Sequence, residues 1–257
     1  MHCHALLLAS GLVLPDGRVA HVLRDDAAVA GFIRSRVAEL ANAAIAETGA
    51  FSMSIGSGTT VAPLVELAGE LDFSRLHLFF GNERTEGDAA GKCFDGAAAL
   101  VEACAIPPEN VHRVPSLVAE EAATQYEATI LSSAREWGVG TCERTGLPAL
   151  DLVLLGSGAD GHCASLYPDS AQVVCSPGCQ RMYLPAEGKG GVTLSIDAIC
   201  SARNVILSAG KAAQAEMVHK CLAGSLEPML PAGMLAASEG TQVEWLLTEA
   251  SAVHLIP

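Results

Sequence analysis

A short apolar segment that ends in a glycine-rich turn constrains the fold of this chain most. Residues 152–155 are continuously apolar and are followed by Gly156, the pattern of a central parallel strand that is covered on both faces. The turn contains Gly156, Gly158 and Gly161, and glycine lets the backbone adopt positive φ and approach a ligand closely. Backbone N–H groups of such a turn can also bind an anion. The segment is therefore a candidate edge of a ligand site.

Two titratable side chains, Asp160 and His162, stand at the end of this turn. An imidazole can accept or donate a proton near neutral pH, which favours a catalytic interpretation. A structural interpretation is also open, in which Asp160 caps a short helix and His162 only bonds to the backbone. Because glycine-rich turns commonly follow strands, the turn alone favours the structural interpretation. The rest of the chain must decide between the two.

Strand and helix patterns alternate along most of the chain. Periodicity predicts strands at 12–14, 19–23, 51–55, 76–80, 111–114, 152–155, 192–195, 204–208 and 243–247, with short strands near Val173 and Met182. It predicts helices at 25–47, from the turn at 56–60 to about 68, at 94–105, 118–137 and 211–222, and from 249 onward. This order predicts an α/β fold with a doubly wound, mostly parallel sheet flanked by helices, of the Rossmann-like type. We expect a single domain over residues 1–257.

The charge balance excludes several classes of partner. The chain has 15 Lys and Arg against 29 Asp and Glu, a net charge of −14. A surface that binds nucleic acid or an anionic membrane is usually basic, so neither partner is expected. No apolar run reaches the length that spans a bilayer. A small anionic substrate would need a local basic pocket.

The cysteine pattern indicates a reducing compartment. Nine cysteines are scattered without paired spacing, which fits free thiols better than a disulfide framework. No metal site is expected, and we interpret His2-Cys3-His4 as an ordinary terminus. Residues 5–14 are apolar but no Lys or Arg precedes them, so we predict a strand there rather than a signal peptide. We expect a cytoplasmic protein and leave a mature organellar form open.

Four loops with unusual chemistry follow predicted strands. They are residues 56–60, residues 81–84, residues 156–162 and the segment around Gly210-Lys211. Ligands of doubly wound sheets bind outside the carboxyl ends of the strands. The predicted fold therefore brings these four loops together.

The segment 151–168, Asp-Leu-Val-Leu-Leu-Gly-Ser-Gly-Ala-Asp-Gly-His-Cys-Ala-Ser-Leu-Tyr-Pro, is similar to the central signature of the 6-phosphogluconolactonases. The other three loops fall in the family's order and approximate spacing, and the similarity covers nearly the whole chain. Glucosamine-6-phosphate isomerase/deaminases belong to the same superfamily. They continue differently after the shared Asp160-Gly161-His162, so residues 163–168 favour the lactonase branch.

The resemblance implies hydrolysis of 6-phospho-D-glucono-1,5-lactone to 6-phosphogluconate in the oxidative pentose phosphate pathway, without a metal or organic cofactor. It implies that His162 is the general base that activates water and that Asp160 orients the loop or the imidazole. Arg84 would anchor the substrate or stabilise the oxyanion. The implied phosphate-binding residues are Ser57, Gly58, Thr59, Lys211 and Lys189.

Each of these roles has a structural alternative. Arg84 could form a surface ion pair with Glu83 or Glu86. Lys211 could be an ordinary exposed residue in the first turn of a helix. The segment 56–60 could be a helix entrance with Ser57 or Thr59 as its cap.

The chain also departs from the family pattern at several loop positions. It has Gly56-Ser-Gly-Thr-Thr60 where the family usually has Gly-Gly-Ser-Thr-Pro, Asn82 for an aspartate, and Gly91-Lys92 for Ser-Asn. Gly191 replaces an arginine before the Val-Thr-Leu strand, and Lys189 or Lys92 could compensate for that loss. Two other hypotheses therefore stay open: a lactonase-fold paralogue that serves as a structural or interaction subunit for a protein partner, and a sugar-phosphate isomerase.

Overall fold

A seven-stranded sheet runs through the centre of the molecule. The computed structural model describes residues 11–175, 177–186, 188, 190–223 and 229–255. In these residues ten strands form: β1 (Leu12–Val13), β2 (Val19–Leu23), β3 (Phe51–Ile55), β4 (Leu76–Phe80), β5 (Asn82–Arg84), β6 (Leu152–Gly156), β7 (Tyr183–Ala186), β8 (Gly191–Leu194), β9 (Asn204–Ser208) and β10 (Gln242–Thr248). The large sheet has the order β1-β2-β10-β9-β6-β3-β4. Its pairs are parallel except the β1–β2 hairpin.

Helices cover both faces of this sheet. The α-helices in the described residues are α1 (Asp26–Thr48), α2 (Lys92–Gly96), α3 (Ala98–Ala103), α4 (Ala119–Glu136), α5 (Ala171–Cys175), α6 (Ile196–Ile199) and α7 (Ala215–Leu222). Short 3₁₀ helices occupy Gly58–Thr60, Ala62–Leu67, Phe73–Arg75, Gly87–Ala89, Pro108–Asn110, Ala212–Gln214 and Pro231–Met234. The predicted α/β, doubly wound, mostly parallel fold is confirmed.

The longest helix, α1, shows why these residues form these elements. Asp25 caps its start by accepting a hydrogen bond from the N–H of Ala28 at 2.9 Å, and Gly49 ends it at φ 85°, a conformation that favours glycine. One face buries Val29 and Ile33 with Val37, Ala41 and Ala44, as the helical spacing predicts. The predicted stripe also contained Phe32 and Leu40, which are only partly buried.

The hydrophobic core lies in two layers, one on each side of the sheet. One layer joins α1 and the helical segments between β3 and β4 to the strand residues Met53, Leu78 and Leu154. The other joins α4 and α7 to alternate residues of the same strands, such as Val153 and Leu155. Successive side chains of a strand point to opposite faces, so a continuously apolar strand such as β6 serves both layers.

A second, three-stranded antiparallel sheet, β5-β8-β7, lies beside the first. The sequence predicted a loop at residues 81–84, and that prediction is wrong for Asn82–Arg84, which form β5 and pair with β8. The three residues Asn-Glu-Arg carry no apolar alternation, so periodicity had no signal there. A pairing partner distant in sequence makes them a strand.

Several other predicted elements are corrected by the structure. Residues 111–114 make only an isolated bridge, between Val111 and Leu78, and Pro115 has no N–H to continue a ladder. The region near Val173 is helix α5, and the predicted helix at 94–105 is split into α2 and α3. The predicted helix to about 68 is 3₁₀, and the one at 211–222 begins with a 3₁₀ turn.

The predicted terminal helix is absent from residues 249–255, which form turns. The hydroxyl of Ser251 accepts a hydrogen bond from the N–H of Thr248 at 3.0 Å, and the hydroxyl of Thr248 accepts one from the N–H of Ser251 at 3.3 Å. Such local bonds between side chain and backbone compete with helix formation. Across the described residues, no helix is both long and apolar enough to cross a membrane.

The strand order places a crevice between β3 and β6. From β3 the chain moves outward to β4, whereas from β6 it moves the other way to β9 and β10. Ligands of doubly wound sheets bind at such a reversal, outside the carboxyl ends of the strands. The loops that follow β3 and β6 are therefore the first place to look for a site.

A cluster of aromatic rings near the opposite end of β4 contains two histidines. His77 Nδ1 lies 3.4 Å from His112 Nε2, and the ring of Trp137 stacks on His77 with centroids 3.4 Å apart. Burial lowers the pKa of His77 to about 4. Burial, with a smaller contribution from His77, lowers the pKa of His112 to about 4 as well. Both rings are therefore neutral in the folded protein at neutral pH.

These two histidines should make the protein less stable in mild acid. In the unfolded chain a histidine has a pKa of about 6.5, so between about pH 6.5 and 4 the unfolded state binds more protons. We expect the free energy of unfolding, measured with urea at a series of pH values, to be highest above this window and to fall through it. His112→Phe keeps a ring and should flatten the fall, whereas the exposed His254→Phe should not. An unchanged slope in His112→Phe would contradict the assignment.

Candidate active site

Asp160 and His162 form a close contact in the loop that follows β6. His162 Nδ1 lies 2.6 Å from Asp160 Oδ1, and the backbone N–H of His162 donates to the same oxygen at 3.2 Å. Burial acts to raise the pKa of the Asp160 carboxyl, but these bonds from His162 outweigh it and the pKa is lowered. The ionised carboxylate can only accept a hydrogen bond, so the Nδ1–H of His162 donates to it. This fixes the tautomer and leaves Nε2 as the basic atom of the ring.

The contact between the two side chains depends on the absence of a side chain at position 158. The Gly158 N–H donates to the carbonyl of His162 at 2.9 Å, so the loop folds back on itself. A Cβ on Gly158 would lie 2.2 Å from His162 Nδ1 and 2.4 Å from Asp160 Oδ1. Any larger residue must displace the imidazole from its carboxylate. The contact between His162 and Asp160 therefore requires glycine at position 158.

Strand β5 brings Arg84 to the same loop. Arg84 Nη1 donates to the hydroxyl oxygen of Ser165 at 3.3 Å, and Asn82 Nδ2 donates to that oxygen at 3.0 Å. The N–H of Ser165 donates in turn to Thr193 Oγ1 in β8 at 3.1 Å. The guanidinium is therefore held against the segment just after His162, as the predicted convergence of loops requires.

The alternative in which Arg84 pairs with Glu83 at the surface is wrong. Glu83 is only 2% exposed. Its carboxylate accepts three backbone N–H groups at 2.8 Å, from Arg84, Cys93 and Phe94. No ion pair involving Arg84 occurs among the described residues. Its charge is thus available to a ligand.

A cavity of about 120 Å³ lies where the loops after β3, β6 and β9 meet. Thr59, Lys211 and Ser157 line it, with Asp26 at the start of α1 and Gln214 after the lysine. A cavity of this size has room for several water molecules and therefore for a phosphate group. The two predicted phosphate-binding residues Thr59 and Lys211 are therefore brought together.

The predicted glycine turn after β3 is a helix entrance without a side-chain cap. Ser57 stands at the N-cap of the 3₁₀ helix Gly58–Thr60 but makes no capping hydrogen bond, and Gly58 has φ 82°. Ser57, Gly58 and Thr59 are exposed. The capping alternative is thus wrong in its hydrogen bond, because the Ser57 hydroxyl bonds to the Cys93 thiol and not to the start of the helix.

The hydroxyl of Thr60 is buried and, among the described residues, has no hydrogen-bond partner. Thr60 lines the same cavity as Lys211. A buried hydroxyl without a partner is costly, and such groups in native proteins call for an explanation such as a ligand or an ordered water. This residue stands where the family pattern has proline.

The backbone around Gly191, which stands where the family has an arginine, leaves no room for a side chain. A Cβ on Gly191 would lie 2.0 Å from the carbonyl oxygen of Glu83 and 3.1 Å from the Cα of Arg84. Any side chain at this position would therefore force β5 and β8 apart. Lys189, which could compensate for the arginine, lies outside the described residues.

Comparison with known proteins identifies the family. The profile described as glucosamine-6-phosphate isomerases/6-phosphogluconolactonase matches residues 24–245. The chain belongs to this family. The match extends from the start of α1 into β10, so it contains all four loops that the strand order brings together.

Individual relatives agree with that assignment. The chain is 30% identical over 235 residues to a protein named probable 6-phosphogluconolactonase 3, chloroplastic, from Oryza sativa subsp. indica, which covers 85% of this chain and 70% of that protein. It is 30% identical over 239 residues to the 6-phosphogluconolactonase of Mycobacterium leprae, covering 88% and 91%. The solved 6-phosphogluconolactonase of Trypanosoma cruzi superimposes with a TM-score of 0.75 at 23% identity, covering 93% and 97%. The solved structure supports the fold.

Sequence reasoning missed several residues of this site. Asn82 was noted only as a departure, and Ser165, Thr60 and Gln214 were not singled out as site residues. Asn82, Ser165 and Gln214 bond to partners distant in the chain, such as the pair Asn82 and Ser165, so no local pattern could identify them. The described residues contain no group of three or more His, Cys, Asp or Glu placed to hold a metal ion.

Gly158→Ala should separate the imidazole from Asp160. The added methyl group occupies the place of the His162 ring, so we expect the Nδ1–Oδ1 contact to be lost and the pKa of Asp160 to rise toward its ordinary value. A crystal structure and NMR titration of the carboxyl group would measure both effects. Gly156→Ala is the matched control, because its nearest neighbour would lie at an ordinary 3.7 Å. An intact contact in Gly158→Ala would contradict this account.

Proposed function

We propose that this protein hydrolyses 6-phospho-D-glucono-1,5-lactone to 6-phosphogluconate, the lactonase reaction of the oxidative pentose phosphate pathway. The observation that carries the proposal is the contact between His162 and Asp160 in a loop that also lines, through Ser157, the cavity of Lys211. The names of the relatives from Oryza sativa and Mycobacterium leprae support it. No metal or organic cofactor enters the proposed reaction.

In the proposed mechanism His162 acts first as a base and then as an acid. Its Nε2 takes a proton from a water molecule while the water oxygen attacks the lactone carbonyl carbon. The carbonyl oxygen becomes an oxyanion, and Asp160 stabilises the imidazolium formed on His162. The intermediate then expels the ring oxygen, which takes the proton back from Nε2. The products are the open-chain acid and the free imidazole.

Arg84 is the proposed stabiliser of the oxyanion. It is half-buried and, within the described structure, has no carboxylate partner, and its guanidinium is held near the catalytic loop by Ser165. A fixed cationic donor near the place where charge develops lowers the barrier, because it needs no reorganisation during the reaction. Arg84 would alternatively anchor a substrate hydroxyl.

The substrate phosphate is proposed to occupy the cavity between Thr59 and Lys211. Lys211 would supply charge there, and the turn at Ser57 and Gly58, which reaches the cavity through Thr59, would supply donors. A phosphate bound by the lysine and this turn would place the lactone ring toward His162. Lys189 remains a further proposed contact for the phosphate.

We further propose that residues 1–257 form one domain and that the protein works in the cytoplasm. One continuous sheet uses strands from both ends of the described chain, β2 and β10, as neighbours. The cysteines among the described residues are free thiols, which suits a reducing compartment. A mature organellar form would offer the same conditions in some organelles.

Removal of the imidazole should abolish most of the activity. General bases contribute about 10²–10⁴-fold to rates, so His162→Gln should lower kcat by that order, measured with freshly prepared lactone against the spontaneous background. Gly158→Ala should lower kcat in the same direction and Gly156→Ala should not. Wild-type protein no faster than His162→Gln would instead favour the non-catalytic subunit, and release of ammonia from glucosamine 6-phosphate would favour the isomerase.

Replacement of Arg84 should act on the chemical step. Loss of a donor to an oxyanion typically costs about 10²–10³-fold in kcat, which we expect for Arg84→Met. Arg84→Lys keeps the charge but not the planar fork and should recover part of the rate. Arg75→Met serves as the control. It removes an exposed arginine whose ion pair among the described residues is with Asp72. Equal kcat values for Arg84→Met and Arg75→Met would remove Arg84 from the mechanism.

A further inference from the structure

Gln214 connects the cavity that holds Lys211 to the loop that holds His162. The N–H of Lys211 donates to Gln214 Oε1 at 2.7 Å, and Gln214 Nε2 donates to the carbonyl oxygen of Ser157 at 2.6 Å. The side chain is only 5% exposed. One buried amide thus bonds to the backbone of both segments.

The two bonds fix the orientation of the amide. Rotation by half a turn would place the NH₂ group against the N–H of Lys211 and the amide oxygen against the carbonyl of Ser157, so both contacts would become repulsive. The N–H of Ser157 donates to Ser208 at the end of β9 at 3.0 Å. The peptide groups of Ser157 are therefore held both by the sheet and by Gln214.

The backbone bond to Gln214 positions Lys211 better than the lysine side chain could. Its side chain is exposed, and an ammonium on a flexible four-carbon chain defines its own position poorly. The Lys211 backbone is extended, at φ −85° and ψ 140°, and precedes the 3₁₀ helix Ala212–Gln214. The Lys211 N–H bonds to the Gln214 side chain and the Lys211 carbonyl accepts from the Gln214 N–H at 2.8 Å, so Gln214 holds the point from which the lysine reaches into the cavity.

We propose that Gln214 is a positioning residue that sets the spacing between the phosphate-binding end and the catalytic end of the substrate site. This inference rests on the proposed lactonase function, because it takes the cavity as the phosphate site and His162 as the base. Gln214 does not touch the reacting atoms. It acts through the backbones of Lys211 and Ser157, and thereby sets how the cavity with the lysine lies relative to the loop that carries His162.

Gln214→Glu tests this role through its pH dependence. The ionised carboxylate can still accept from Lys211, but its second oxygen faces the carbonyl of Ser157 and its charge opposes a phosphate in the cavity. Once protonated, the carboxylic acid restores one acceptor and one donor. We expect KM for the lactone to be about tenfold above wild type at pH 7.5 and within about twofold at pH 5, with kcat changed less than threefold. Ratios to wild type at each pH remove the effect of phosphate ionisation.

Two further variants separate positioning from a general structural defect. Gln214→Met has a similar size but no hydrogen bond, so its KM should be raised about tenfold at both pH values. Gln172→Glu makes the same change at a glutamine that bonds to Pro185 away from the cavity, and its KM should match wild type. Thermal unfolding of each variant monitors folding, and recovery of one Gln214→Glu sample at pH 5 shows that it is folded.

Different results would overturn the role of Gln214 and the proposed function. Wild-type activity with an unchanged KM in Gln214→Met, or a raised KM in Gln214→Glu that persists at pH 5, would overturn the role of Gln214 alone. A fall in kcat with unchanged KM in both variants would also overturn it. Wild-type protein without activity above the spontaneous background would overturn the proposed function instead.

Discussion

The site depends on the parallel pairing of β6 with its two neighbours. Leu154 in β6 lies opposite Ile55 in β3 and Ile206 in β9, and Gly156 lies opposite Ser208. Because β6 and β9 end at the same level and β3 ends two residues earlier, their loops start close together. The catalytic loop, the glycine turn and the segment with Lys211 meet for this reason, and the hydrogen bonds of Gln214 and Ser165 only adjust what the sheet has already brought close.

Much of this arrangement could be predicted from the sequence, because the central strands are buried on both faces. A strand such as Phe51–Ile55 or Leu152–Gly156 must be largely apolar to serve two core layers, and glycine must follow where the backbone turns sharply. The alternation of such strands with helices then predicts a doubly wound, mostly parallel sheet. His162, Thr59 and Lys211 could be placed near one another from the sequence because they follow such strands, whereas their proposed roles, and that of Arg84, come from the family resemblance.

The remaining features were hidden because their causes are not local. β5 is a strand only because β8 offers a partner more than one hundred residues away, and Asn82–Arg84 has no apolar pattern of its own. Ser165 and Gln214 are common polar residues whose importance lies in what they bond to across the fold. Residues 249–255 form turns instead of the predicted helix because the hydroxyl groups of Thr248 and Ser251 bond to each other's backbone N–H groups.

The departures from the family pattern are consistent with one another around β5. An aspartate at position 82 could only accept a hydrogen bond when ionised, whereas the amide of Asn82 donates one to Ser165 and adds no carboxylate beside the Arg84 guanidinium. Gly191 lets β8 approach the carbonyl of Glu83 so closely that no Cβ fits between them. The buried Glu83 carboxylate binds backbone N–H groups instead of the guanidinium. One arginine has thus been lost, but the geometry leaves the charge of the other free for a ligand.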